Sequence, residues 1–303
     1  MTQLPYQSLA GPALTLAFNN NLFVAWADRN THRLMVGKGM EVNDTHAYPV
    51  GAESSSAAPA LAEHAGRLVI AWSGEDGGNH LNVMASTDGI TWQESSKRTI
   101  WTDFTRAGTG PSLTAYLGRL YLTYTGADSH IYLIPSDNGV DFLPDERIGL
   151  VQTASDGPAV TARTTQNGDP QFFLAWTGGG NRINYLECEG TRFDQLNTAT
   201  PGFFDESPSG PSLASTSIEI ALMYRSYAED TFCLIGAGEG TIQINNELRT
   251  YFSDSSRFRP AIIMGNNFPG WAAWTGMDGA QSLNVAAFGS MRTVQAVPPR
   301  LVV

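Results

Sequence analysis

The sequence predicts an all-β chain, a six-bladed β-propeller of four-stranded antiparallel blades. Three observations carry this: a unit of about fifty residues copied six times, four short strand signals in each copy, and a second strand that is apolar on both faces. Each copy opens on a small residue, then Pro, then a short apolar run: "GPALTLA" at Pro12, "APALAEH" at Pro59, "GPSLTAY" at Pro111, "GPAVTAR" at Pro158, "GPSLAST" at Pro211 and a degenerate "RPAIIMG" at Pro260. The prolines recur 47 to 53 residues apart.

The second strand of each copy ends in an aromatic: Trp26, Trp72, Tyr124, Trp176, Tyr224 and Trp274. In "GRLVIAW", Leu68, Ile70 and Trp72 share one face while Val69 and Ala71 share the other, so the strand needs an apolar neighbour on both sides. Radial stacking of the sheets supplies those neighbours. A third strand follows a short polar loop ("RLMVG", "HLNVM", "HIYLI", "RINYL", "TFCLI", "SLNVA"), and a Gly-containing turn leads to a fourth, read as "ITWQE" in copy two and "TRFDQ" in copy four. The reading is one propeller domain over 1–303, with blades at about 6–54, 55–105, 106–154, 155–206, 207–254 and 255–303. Residues 1 to 9 are expected to meet 298 to 303 in a ring of whole blades, without a large strand exchange.

Composition bounds the function. The chain has 303 residues, 42% hydrophobic and 10% aromatic, enough for a large core. Its net charge of -11 repels phosphate backbones and anionic lipid, so neither nucleic acid nor membrane insertion is expected. No basic segment followed by an apolar run marks the start, so a soluble protein is expected, cytoplasmic or exported by an unusual route. Two cysteines, Cys188 and Cys233, do not make a disulfide framework. The five histidines lack metal-ligand spacing, and no helix follows the Gly-rich "TGGGN", so neither metal nor cofactor is expected.

The turns "STDGITW" (Ser86 to Trp92) and "SDNGVDF" (Ser136 to Phe142) resemble the Asp-box of sialidase-like propellers, each one residue shorter than that pattern. The resemblance implies that Ser and Asp cap the turn and the aromatic packs in the blade, on the face opposite a sialidase active site. It also implies an early arginine in an R-I-P motif, a Tyr/Glu nucleophile pair and an Asp acid/base. No R-I-P is present; "MYRSYAED" offers Tyr224, Arg225 and Glu229. In general plan the chain also resembles bacterial propeller lectins.

The candidate binding face gathers the connections before each Pro and the loops after each aromatic. Expected ligand contacts are Trp26, Trp72, Tyr124, Trp176 and Trp274 as stacking platforms, Asp28, Asp76, Asp128 and Asp278 as acceptors, and His80, His130 and Arg182 as donors. Aromatic faces with paired donors and acceptors suit a pyranose. The competing reading makes the aromatics interblade core and the aspartates turn caps. Glycans or glycoconjugates are therefore the expected partners, bound at repeated loop-face or interblade sites by a multivalent, non-enzymatic lectin. A glycoside hydrolase using Asp103, Asp156, Asp205, Glu206 or Asp254 is the alternative, and a protein-interaction scaffold the third.

Overall fold

The computed structural model describes residues 1–39, 46–199, 201–237, 249–265 and 268–288. It consists of six four-stranded antiparallel sheets arranged as a six-bladed propeller. Blade 2 shows the plan: Ala60–His64 lies innermost, followed outward by Arg67–Ser73, His80–Ser86 and Arg98–Phe104. Ala65 and Gly66 join the first two strands with φ of 49° and 70°, the double positive-φ turn that matches strand twist. No helix among the described residues is long and apolar enough to cross a membrane.

The two-faced second strand behaves as its sequence requires. Leu68, Val69, Ile70, Ala71 and Trp72 are all 0% exposed. Leu68, Ile70 and Trp72 join a core with Phe23, Ala25 and Leu34 of blade 1, whereas Val69 and Ala71 join Leu120, Leu122 and Tyr124 of blade 3. One strand thus stitches two interblade cores, and each fully buried Leu, Ile or Val contributes about 1.5–3 kcal/mol.

The ring closes differently from the expectation. Blade 6 consists of Ala261–Gly265, Phe268–Thr275 and Ser282–Phe288, and its fourth strand is Thr2–Gln7 from the opposite end of the chain. Thr2 faces Val285 and Gln7 faces Ser282, while Leu4 is buried with Val24, Trp26 and Val285. Blade 1 accordingly starts at Ala13, and closure is a strand exchange between first and last blades. The physical reason is the bare edge of Ser282–Phe288, whose unpaired amides take the nearest extended segment. The expected contact of residues 1 to 9 with 298 to 303 falls on positions outside the described residues.

The fourth strands also sit later than expected. "ITWQE" is not a strand: Ser86 Oγ donates to Asp88 Oδ1, which accepts the N–H of Ile90 and Thr91 at 2.8 and 2.7 Å, and a short 3-10 turn follows at Glu94–Ser96. Amides spent on the turn cannot join a ladder. Trp92 folds into the core, and Ser136, Asn138 and Phe142 repeat the arrangement in blade 3. "TRFDQ" likewise runs into a short helix, Gln195–Thr198, and the fourth strand of blade 4 is Gly202–Glu206.

The innermost strands surround a central channel of about 270 Å³. Around its mouth the residues preceding the prolines crowd together. A Cβ on Gly110 would stand 1.9 Å from the Ala58 carbonyl oxygen, one on Gly157 2.3 Å from that of Gly110, and one on Gly11 2.5 Å from that of Arg259. The sixth member of this ring, Arg259, sends its side chain across the axis: Nη2 donates to the carbonyl of Pro111 in the opposite blade at 2.6 Å.

Candidate functional site

The second-strand aromatics are core residues. Trp26, Trp72, Tyr124, Trp176, Tyr224 and Trp274 are at most 3% exposed and lie between blades, so none turns a ring face to solvent. The stacking platforms expected at these positions are thereby corrected to packing: the strand that carries them is buried on both sides.

The loop aspartates cap their own turns. Asp28 accepts from the amides of Asn30 and Thr31 at 3.1 and 2.9 Å. Asp76 accepts from Gly78 N–H at 3.0 Å and lies 2.6 Å from His80 Nδ1. Asp128 accepts from His130 N–H and the Tyr132 hydroxyl, and Asp278 from the Ser282 amide and hydroxyl. Burial alone would raise Asp28, Asp76 and Asp128, but the hydrogen bonds outweigh it and all are lowered; Asp278 is lowered chiefly by Ser282. His80, His130 and Arg182 each start a third strand on the same rim.

A second constellation lies at the joints between blades. In blades 1, 2, 3, 4 and 6 the pairing of third with fourth strand slips in register. A bulge re-aims the side chain it carries, and here the re-aimed residue reaches the next blade. Asp103, 1% exposed, accepts from the Tyr124 hydroxyl and, at 2.6 Å, from Arg147 Nη1 of blade 3. Asp205 accepts from Tyr224 at 2.9 Å and from Arg249 at 3.0 Å, both in blade 5. Glu53 accepts from Lys97, which lies 6.0 Å over the Trp72 ring. Where the acid is replaced, the cation is too: Gln152 donates to the Leu196 carbonyl, and Tyr6 packs 5.0 Å from Trp26. Asp254 sits against Phe232, Phe252 and Trp274, and burial raises its pKa.

These pairs bear on the hydrolase alternative. Asp103 and Asp205 are tied to cations, and Asp156 accepts the amides of Gly157 and Gly210, both at 2.6 Å. Tyr224 is 0% exposed, its phenol pushed far up first by burial, and Arg225 is paired with Asp230. An activated, solvent-facing tyrosine nucleophile is not what this geometry offers.

Two neighbouring exposed aromatics lie on blade 2 at positions the repeat does not mark, and Tyr227 and Tyr251 are exposed on blade 5. Trp101 is 69% exposed and Phe104 43%, on the strand that also carries Asp103. Their rings stand 5.0 and 4.9 Å from that of His80, whose Nδ1 is held by Asp76. The group offers a wide apolar face beside an oriented imidazole and a carboxylate. Sequence reasoning reached His80 and Asp76 but missed Trp101, Phe104 and the cations of the joints. One signal was available: each acid lies 44 residues before its cation, Glu53 to Lys97, Asp103 to Arg147 and Asp205 to Arg249.

No protein-family model and no curated protein matches the chain. Solved structures do match. A variant of Aleuria aurantia lectin in complex with Fucα1-6GlcNAc superposes with a TM-score of 0.62 at 10% identity, over 94% of this chain and 98% of that one. The SapL1 lectin, in complex with α-methyl fucoside, gives 0.62 at 14% identity over 94% of each chain. This chain has the same fold. Trypanosoma rangeli sialidase, in complex with the inhibitor DANA, gives 0.58 at 10% identity over 95% of this chain and 56% of that one. At such identities the likeness is one of architecture, a six-bladed propeller resembling the fucose-binding lectins.

Proposed function

We propose that the chain is a carbohydrate-binding protein, a lectin, whose principal site is the blade 2 rim formed by Trp101, Phe104, His80 and Asp76. The observation that carries the reading is the exposed Trp101 face beside an imidazole oriented by a carboxylate. A pyranose has an apolar C–H face that stacks on such a ring and hydroxyls that need paired donors and acceptors. Fucosylated glycans are the class to test first, since propellers of this architecture bind them. The net charge of -11 favours neutral sugars over sialylated ones.

A glycan array followed by calorimetry tests this. Trp101→Ala is expected to weaken binding of the best glycan roughly tenfold or more, with an unchanged melting temperature because the side chain is exposed. Absence of binding to any glycan, or full binding by the variant, overturns the assignment.

A further inference from the structure

We propose that the central channel is a second ligand site, for a small hydroxylated carboxylate anchored on Arg259. The guanidinium spans the mouth of the channel, donating from Nη1 to the Pro158 carbonyl at 3.4 Å and from Nη2 to those of Pro111 and Pro59 at 2.6 and 3.5 Å. An arginine has five N–H donors; three contacts leave Nε–H and one Nη1–H, two charged donors on different edges of the guanidinium, each able to take one carboxylate oxygen. Arg259 forms no ion pair with a described carboxylate. The charge of Asp156 acts on it from a distance, while its two oxygens accept the Gly157 and Gly210 amides.

The channel walls supply the rest of the recognition. Thr15, Thr114 and Thr161 each stand three residues beyond their proline, at one level roughly 10 Å along the strands from the mouth. The hydroxyls of Thr15 and Thr114 line the channel without a protein partner among the described residues. Ser112 and Ser212 accept amides of the neighbouring blades, from Val160 and Ile262, which leaves each hydroxyl proton free to donate inward. A channel of about 270 Å³ admits a small acid and not an oligosaccharide. Glu63, toward the far end, lies roughly 13 Å along the strand from its proline, beyond the screening length of about 8 Å at physiological salt. It therefore does little to repel an anion held at Arg259.

The test is thermal stability of the full chain titrated with gluconate, with acetate, with sorbitol as the uncharged polyol, and with chloride at matched ionic strength, alongside the Arg Nε–H resonances by NMR. Gluconate is expected to raise the melting temperature saturably and to move one buried Nε–H signal, with acetate weaker and sorbitol and chloride without effect. Arg259→Lys, which keeps the charge but loses Nε–H and the planar group that spans the mouth, is expected to weaken gluconate roughly tenfold. The Thr15→Val, Thr114→Val double variant should weaken gluconate and spare acetate. Should Arg259→Lys not fold, the double variant and the NMR titration decide alone. Gluconate no better than chloride, or a response unchanged in the variants, overturns the proposal. Trp101→Ala should retain the gluconate response, so this site and the rim site fail independently.

Discussion

The carboxylate of Asp103 has no water to fall back on: its side chain is 0% exposed, and its partners are a phenol and a guanidinium of the next blade. Removing it leaves the buried Tyr124 hydroxyl without its acceptor while Arg147, partly exposed, turns to water, so Asp103→Ala is expected to cost about 2 kcal/mol, read from urea unfolding, whereas the same change at exposed Asp137 should fall within about 0.5 kcal/mol. The turn aspartates make a pH prediction. Burial alone would raise Asp88, but amides of Thr91 and Ile90 and the Ser86 hydroxyl hold it far below the ordinary carboxylate value, in the direction of Asp28, Asp76, Asp128 and Asp278. A depressed folded-state pKa contributes stability that is fully present above the unfolded value near ~4 and is lost as pH falls toward the folded one. The melting temperature should therefore be level from neutrality to about pH 5 and fall below about pH 4, less steeply in Asp88→Asn. At this scale the sequence was legible where a residue's role is local: Asp, Ser and Gly mark turns because their bonds span two or three positions. The joint cations were not, because their partners lie 44 residues away in another blade.

Second strands could be read directly, since two-sided burial demands an unbroken apolar run. Fourth strands could not. They lie at the rim, slip register, and in blade 2 carry exposed Trp101 and buried Asp103 on one element, inverting the usual pattern. "ITWQE" has the β-formers of a strand but its first two amides belong to Asp88. The strand-opening glycines give a prediction at this scale. Gly110→Ala places a Cβ 1.9 Å from a backbone oxygen that cannot turn away, and is expected to cost about 3 kcal/mol. Gly118→Ala meets nothing within 4 Å and should cost about 1 kcal/mol through its φ of +79° alone. Parallel denaturation of the two variants checks the ordering.

The number of blades was written in six prolines, but the way the ring closes was not. "TQLPYQ" belongs to no copy of the repeat, and its one clue is Pro5, which a sheet tolerates only where an amide has no partner, as on an outermost strand. Deleting Thr2–Gln7 should bare the edge of Ser282–Phe288 and uncover Val24 and Trp26. The expected result is self-association in size-exclusion chromatography and a broadened unfolding transition. Closure also orders events in time. On a ribosome the segment around Leu4 emerges long before Val285 and must wait for it before pairing, so the five intervening blades are made before the circle can lock. Because loop entropy grows only with the logarithm of length, that wait costs about 2 kcal/mol more than closing a forty-residue loop. The penalty falls on rate: a permutant with Thr2–Gln7 joined after Phe288 would replace the longest-range pairing with a hairpin, and should fold faster to the same ring.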